Sequence, residues 1–162
     1  MGDTGQVHVQ VHSADDLLAV AEALEQEAAA RYRGLSARMA RQGDMAMAAQ
    51  FEALAAMEDR HVSQVVERSR ALVGHGPDLA RVKWETPPGY DEGEARGAGL
   101  GAYQALAFAV RNEERSFVFY SYISAEAKRD ESRPLAEDLA RDDLQHAAIL
   151  RQYRRRTSRQ QG

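Results

Sequence analysis

The stretch LARDDLQHAAIL, residues 139–150, decides the fold, because two polar groups interrupt an otherwise apolar helical face. Leu139, Asp143, His146 and Leu150 follow one another at intervals of four, three and four residues, which places them on one face of a helix. Such a face normally turns toward the core, where an unpartnered carboxylate or imidazole costs several kcal/mol. Either this face is exposed, or something inside the protein satisfies both groups.

An earlier stretch of the chain repeats the pattern. Leu54, Glu58, His61 and Val65 have the same spacing, and each lies 85 residues before its counterpart in 139–150. One acid three residues before a histidine would carry little weight in a chain with 25 acidic residues. Two such pairs in apolar faces at one offset are harder to interpret as surface contacts between neighbouring turns.

Two further carboxylates share a spacing to tyrosine. Glu25 precedes Tyr32 by seven residues and Glu113 precedes Tyr120 by seven, so that each pair lies two turns apart on one helical face. The two pairs are 88 residues apart. The chain therefore looks like a repeat of one helical hairpin.

Neighbouring acids compete with these two carboxylates for the inward position. Glu27 lies two residues after Glu25, and Glu114 follows Glu113 directly, so only one of each pair can face inward. The shared spacing to tyrosine favours Glu25 and Glu113.

Apolar periodicity predicts an all-α protein with four long helices, at about residues 14–41, 45–73, 98–129 and 132–156. Ser13, Asp44 and Ser132 are the predicted N-caps, and Gly43 suits the left-handed conformation after a helix.

The connections between the predicted helices indicate the topology. Short turns join the members of each helix pair, whereas a crossover of about residues 74–99 joins the pairs, with Trp84 expected to pack on the bundle. The prediction is a ferritin-like antiparallel four-helix bundle over residues 13–156, built from two hairpins. Residues 1–12 are predicted as an arm or short strand, and residues 157–162 as a tail.

Composition excludes several classes of site and partner. The 162-residue chain has no cysteine, so disulfides, thiol chemistry and cysteine-ligated metals are excluded. Its net charge of −4 argues against nucleic acid as a partner. The arginines near the C-terminus are interpreted as a solvated helix end. No apolar run approaches a membrane span and no signal peptide begins the chain, so we expect a cytoplasmic protein without a membrane partner.

The predicted core would hold four carboxylates and two imidazoles. Four carboxylates alone would repel one another, and two divalent cations would balance their charge. This mixture of ligands suits iron or manganese, while zinc usually takes fewer. Tyr32 and Tyr120 are interpreted either as donors to the ligand carboxylates or as ordinary core aromatics.

In these residues the chain resembles the ferritin-like di-iron carboxylate proteins, especially a rubrerythrin-like branch without the rubredoxin domain. The resemblance covers roughly residues 14–156. It implies two iron ions with Glu25 and Glu113 as terminal ligands, Glu58 and Asp143 as bridging ligands, and one imidazole each from His61 and His146. The chain departs from the family pattern at Asp143, where a glutamate is expected, and at Ser116, where rubrerythrins carry an extra carboxylate.

The resemblance implies a non-haem di-iron oxidoreductase that reacts with peroxide or O₂, as a peroxidase or an iron oxidase. Because the chain lacks the cysteines of a rubredoxin domain, an external electron donor would be needed. A homodimer is the expected assembly. Two alternatives remain open at this point: a manganese catalase-like enzyme with the same ligands, and a metal-free bundle that acts as an interaction module.

Overall fold

The computed structural model describes residues 11–82, 100–127 and 131–160. Within these ranges the chain forms four long helices: α1 (Ala14–Arg41), α2 (Met45–Val73), α3 (Ala102–Glu126) and α4 (Ser132–Gln160). A short 3-10 turn, Leu79–Arg81, follows α2. The described residues contain no strand, and the all-α prediction is confirmed.

Local capping explains where the first two helices begin and end. The Ser13 side chain accepts a hydrogen bond of 3.2 Å from the amide of Asp16, and Asp44 caps α2 in the same way through Met47. Gly43 and Gly74 have φ angles of 85° and 81°, which lie in the left-handed region that glycine adopts without strain. These predicted signals are confirmed.

The second hairpin differs from the prediction at its helix ends. Helix α3 begins at Ala102 rather than near residue 98 and ends at Glu126. Ser132 is the first residue of α4 rather than its cap. The last helix continues to Gln160, past the predicted end near residue 156, and the Thr157 hydroxyl donates to the Tyr153 carbonyl within it. Arginines are favourable at a helix C-terminus, which explains why the helix continues through them.

The helices pack as two antiparallel hairpins, α1 with α2 and α3 with α4. The beginnings of α2 and α3 lie at the same end of the bundle, because residues of both belong to one apolar cluster. The end of α2 and the beginning of α3, which the predicted crossover joins, therefore lie at opposite ends of the bundle, and the predicted four-helix arrangement is confirmed. Most of this crossover, Trp84 included, lies outside the described residues, as do residues 1–10 of the predicted arm.

Two apolar clusters form the core, one toward each end of the bundle. The first surrounds Tyr32, Phe51 and Leu106, and the second surrounds Leu17 and Tyr120. On every helix the predicted polar site residues fall between the stretches that belong to the two clusters. The bundle thus holds a polar layer between two apolar ones.

Two large apolar side chains near helix ends are exposed. Leu72, near the end of α2, is 42% exposed and Tyr103, near the start of α3, is 41% exposed. The Arg154 guanidinium lies over the Tyr103 ring, 5.9 Å from its centroid. Both residues occupy the last or first turn of a helix, where the facing helices no longer cover them. In the described part of the chain, no helix is both long and apolar enough to cross a membrane.

Candidate metal centre

The polar layer contains the six side chains that the sequence singles out, and all four helices contribute. Helix α1 supplies Glu25 and α3 supplies Glu113, while α2 and α4 each supply an acid and a histidine three residues apart. Five of the six residues are buried, and the sixth, His61, has a side chain that is 18% exposed. The buried residues are Glu25, Glu58, Glu113, Asp143 and His146.

The competing acids lie outside this layer. Glu27 is partly exposed and lies 3.9 Å from Arg31 on the next turn of α1. Glu114 accepts a hydrogen bond from Arg151 at the side of α3, with a side chain that is 46% exposed. The shared spacing to tyrosine therefore identified the buried member of each pair.

Glu58 lies between the two imidazoles. One of its oxygens, Oε1, is 3.0 Å from Nδ1 of His146, and the other, Oε2, is 3.5 Å from Nδ1 of His61. The two imidazole rings are stacked, with centroids 4.8 Å apart and planes 8° from parallel. One carboxylate of α2 thus contacts a histidine of each hairpin.

Each histidine also has a second carboxylate from its own hairpin. The His61 Nδ1 lies 3.7 Å from Oε2 of Glu25, and the His146 Nδ1 lies 3.6 Å from Oε2 of Glu113. The site is therefore nearly symmetric, with Glu25 and His61 on one side and Glu113 and His146 on the other. Glu58 lies at the centre.

Among the described residues, Asp143 does not form an ion pair with an imidazole as Glu58 does. It is buried beside Glu113 and His146, with donor atoms that all lie within 4.8 Å of one another. Its Oδ2 atom is buried and has no hydrogen-bond partner. The shorter aspartate therefore lies in the layer where the sequence predicts it, and its Oδ2 lacks a hydrogen-bond donor there.

The two tyrosines lie on opposite sides of the layer. The Tyr32 hydroxyl donates a hydrogen bond to Oε1 of Glu113, so that one hairpin positions a carboxylate of the other. Tyr120 is fully buried in the second apolar cluster, where its ring packs edge-on against Phe119. A contact between tyrosine and a candidate ligand is thus seen for Tyr32.

Burial and charge shift the pKa values of the histidines and of their central partner. The carboxylates of Glu25 and Glu58 raise the pKa of His61 to about 9. Burial lowers the pKa of His146, but Glu113 and Glu58 outweigh this effect and raise it to about 11. Burial also disfavours the charged form of Glu58, yet the two imidazoles hold its pKa below the usual range.

The pKa values of two other carboxyls, those of Glu25 and Asp143, are raised instead of lowered. Burial raises the pKa of Glu25 to about 8, despite the imidazole of His61. Burial and the negative charges of Glu113 and Glu25 raise the pKa of Asp143 well above its usual value. Protons thus carry part of the positive charge that this cluster of acids requires, and a divalent cation could replace them.

The donor set fits a metal centre. Two overlapping groups of donors could each hold an ion: Glu58 with both histidines, and Glu113 with Asp143 and His146. Oδ2 of Asp143 is buried without a hydrogen bond, and Oε1 of Glu58 and Nδ1 of His146 have each other, 3.0 Å away, as an ion-pair partner without hydrogen-bond geometry. Buried polar atoms normally have a partner, so this layer has donor atoms that could hold a cation.

Sequence reasoning missed the cavity beside this layer and Asn112, which lines it. Asn112 lies three residues after Ala109 and four before Ser116, on one face of α3. This spacing was a usable signal. Ser116 is buried at the same cavity, one turn beyond Glu113.

Comparison with known proteins supports the fold. No protein-family model and no curated protein matches the chain. It is similar to the crystal structure of an uncharacterized conserved protein from Magnetospirillum magnetotacticum MS-1, with 29% sequence identity and a TM-score of 0.70. The similarity covers 90% of this chain and 95% of the other. Since that protein is itself described as uncharacterized, it lends no activity to this one.

Proposed function

We propose that this protein is a non-haem di-iron oxidoreductase of the ferritin-like and rubrerythrin-like type, which binds two iron ions in the polar layer and reduces peroxide or O₂. The position of Glu58 carries the proposal. Its two oxygens face stacked imidazoles from different hairpins, and three more carboxylates are buried around them. A purely structural core has no evident use for so many adjacent acids.

Each half of the site would hold one ion. Glu25 and His61 would bind the first and Glu113 and His146 the second, because each histidine lies beside the glutamate of its own hairpin. Glu58 would contribute one oxygen to each ion, and Asp143 would lie opposite as the weaker bridging ligand. The four carboxylates would balance the charge of two divalent ions, with both imidazoles neutral.

Two ferrous ions held there would supply the two electrons that convert one H₂O₂ and two protons into two water molecules. The protein would position the ligands for this chemistry. Tyr32 holds Glu113 from across the bundle, which restricts the rotation of that carboxylate. The apolar clusters on both sides limit access of water to the layer from the two ends of the bundle. Electrons would come from an external donor, and we expect a homodimer.

The first alternative is a manganese catalase-like enzyme with the same ligands, since carboxylates and imidazoles bind both metals. The second is a metal-free bundle that acts as an interaction module. The ion pairs between Glu58 and the two imidazoles favour this second alternative, because they compensate part of the buried charge without a metal.

Metal content separates these functions. Protein purified without added metal, and protein reconstituted with iron(II) in the absence of air, would be analysed by elemental mass spectrometry. We expect about two iron ions per chain and consumption of H₂O₂ or O₂ by the reduced protein. Two manganese ions with peroxide dismutation would support the first alternative. The absence of bound metal in both preparations would refute the proposal.

The matched variants are Glu58→Ala and Glu114→Ala. Glu58 contacts both histidines, whereas Glu114 pairs with Arg151 outside the layer. We expect Glu58→Ala to lose at least one ion per chain and Glu114→Ala to keep both. Equal metal content in the two variants would show that Glu58 does not bridge the ions.

A further inference from the structure

A cavity opens on the carboxylate side of the candidate metal centre. It is partly open to solvent, its enclosed part has room for about one water-sized molecule, and residues of all four helices line it. The carboxylates of Glu25, Glu58, Glu113 and Asp143 face it, whereas neither His61 nor His146 is among the described residues that line it. A small molecule that entered here would meet the carboxylates of the centre before the imidazoles.

Asn112 has one unpartnered polar atom in the wall of this cavity. It is the single asparagine of the chain, and it is 5% exposed. Its Oδ1 atom is buried without a hydrogen bond. A buried acceptor without a donor destabilises a folded protein, and in a native structure it usually points to a missing partner.

The chemistry of the cavity determines which partner would fit. Oδ1 of Asn112 is an acceptor, and the carboxylates that line the cavity are also acceptors once they have released their protons to bind metal ions. The missing group must therefore donate a hydrogen bond and lie beside the carboxylates. Hydrogen peroxide and small hydroperoxides carry an O–H group, whereas dioxygen has no hydrogen to donate. Of the two oxidants that the proposed function allows, only a peroxide satisfies Asn112.

We propose that Asn112 is a substrate-positioning residue that accepts a hydrogen bond from the O–H of a small hydroperoxide and so favours peroxide over dioxygen. This inference rests on the proposed function. Arg31, which lines the same cavity from α1 with a side chain that is 13% exposed, adds a positive charge that Glu27, 3.9 Å away, balances in part. That charge would attract the partly negative oxygens of a peroxide.

The test compares Asn112→Leu with Gln50→Leu. Both substitutions replace an amide whose oxygen is buried without a hydrogen bond, but Gln50 is not among the described residues that line the cavity. Zinc-loaded protein, which cannot reduce peroxide, would be titrated with hydrogen peroxide by calorimetry. We expect the Kd for peroxide to rise about tenfold in Asn112→Leu and to stay unchanged in Gln50→Leu.

Two more measurements separate positioning from structure. In the iron form, the ratio of the peroxide rate to the O₂ rate should fall about tenfold in Asn112→Leu alone. The melting temperature of the chelated variant should not fall, because no internal hydrogen bond to Oδ1 is lost. A clear fall in melting temperature would instead assign Asn112 a structural role and overturn the inference.

The outcomes distinguish this inference from the proposed function. If wild-type protein binds two ions and reacts with both oxidants, but Asn112→Leu leaves the Kd and the rate ratio unchanged, then Asn112 does not position the substrate and the proposed function stands. If wild-type protein binds no metal, both proposals fail. If Oδ1 of Asn112 binds only a water molecule, Asn112→Leu will leave the Kd and the rate ratio unchanged, and this inference fails while the proposed function stands.

Discussion

At the scale of single residues, Glu58 and Asp143 occupy equivalent positions in the two hairpins and differ in their contacts. Glu58 contacts both imidazoles, and its pKa is held below the usual range. Asp143 is one methylene shorter, has a buried oxygen without a partner, and has a raised pKa. In the absence of metal, Glu58 is therefore compensated and Asp143 is the destabilising member of the pair.

This difference predicts opposite effects of Asp143→Asn on the two forms of the protein. The amide keeps the shape of the side chain and removes a charge whose burial opposes folding. Chelated Asp143→Asn should therefore be more stable than chelated wild type, by about 1–3 kcal/mol at neutral pH. Metal content should fall, because an amide is a poorer ligand than a carboxylate. Denaturant unfolding and elemental analysis measure the two effects.

The control is Asp142→Asn, the same change one residue away at a partly exposed position. It should alter neither the free energy of unfolding nor the metal content. Lower stability of chelated Asp143→Asn would mean that the ionised aspartate has a stabilising partner in the folded protein and that its Oδ2 is not unpartnered.

At the scale of the helices, one glycine at a helix end and one inside a helix show how backbone conformation determines the effect of a substitution. Gly74 ends α2 in the left-handed conformation, with its amide donating to the Arg70 carbonyl over 3.1 Å. Gly34 lies inside α1, and a Cβ atom added there would meet nothing within 4 Å. The same open space surrounds Gly74. The two positions therefore differ in backbone conformation and not in crowding.

Alanine substitutions at these two glycines should change the free energy of unfolding in opposite directions. Gly34→Ala should raise the free energy of unfolding by about 0.5–1 kcal/mol, because glycine is a poor residue for a helix interior. Gly74→Ala should lower it by about 1–2 kcal/mol, since a Cβ atom is strained at a φ of 81°. Chemical denaturation of each variant measures both changes. Stabilisation by Gly74→Ala would show that α2 does not end at this residue.

The same scale shows how much of the structure the sequence could predict. Helix ends at Ser13, Asp44 and Gly74 depend on neighbouring residues alone, so composition and spacing identified them. The polar layer was predictable because its acids and histidines repeat at one offset within apolar faces. The ends of α3 and α4 were missed, since no comparably strong cap precedes Ala102 and arginines allow α4 to continue.

The cavity could not be predicted in this way. It lies between α1 and α3, which belong to different hairpins, and its shape depends on how closely those hairpins approach. No local pattern encodes that approach. Asn112 was visible as a polar residue on a helical face, but its unpartnered oxygen becomes evident only once the facing wall is in place.

At the scale of the whole molecule, protons and metal ions compete for one buried layer. The pKa values of His61 and His146 are raised to about 9 and about 11, and that of Glu25 to about 8. The histidines stabilise the folded chelated protein fully below their unfolded pKa, and this contribution is lost as pH rises through the folded values. Glu25 acts in the same direction, because its ionisation is disfavoured in the folded state. Chelated protein should therefore lose stability from this layer as pH rises above neutrality.

Metal binding should have the opposite dependence on pH. The groups whose pKa values are raised, His61, His146, Glu25 and Asp143, must release their protons before they can bind ions, so affinity rises with pH. We therefore expect the difference in melting temperature between metal-loaded and chelated protein to widen from about pH 6 to about pH 9. Comparing the two forms at each pH cancels the titration of surface groups. Glu114→Ala should behave like wild type, and Glu58→Ala should show little difference between the forms at any pH. A difference that narrows as pH rises would mean that the ions bind outside this layer, at groups whose protons do not compete with them.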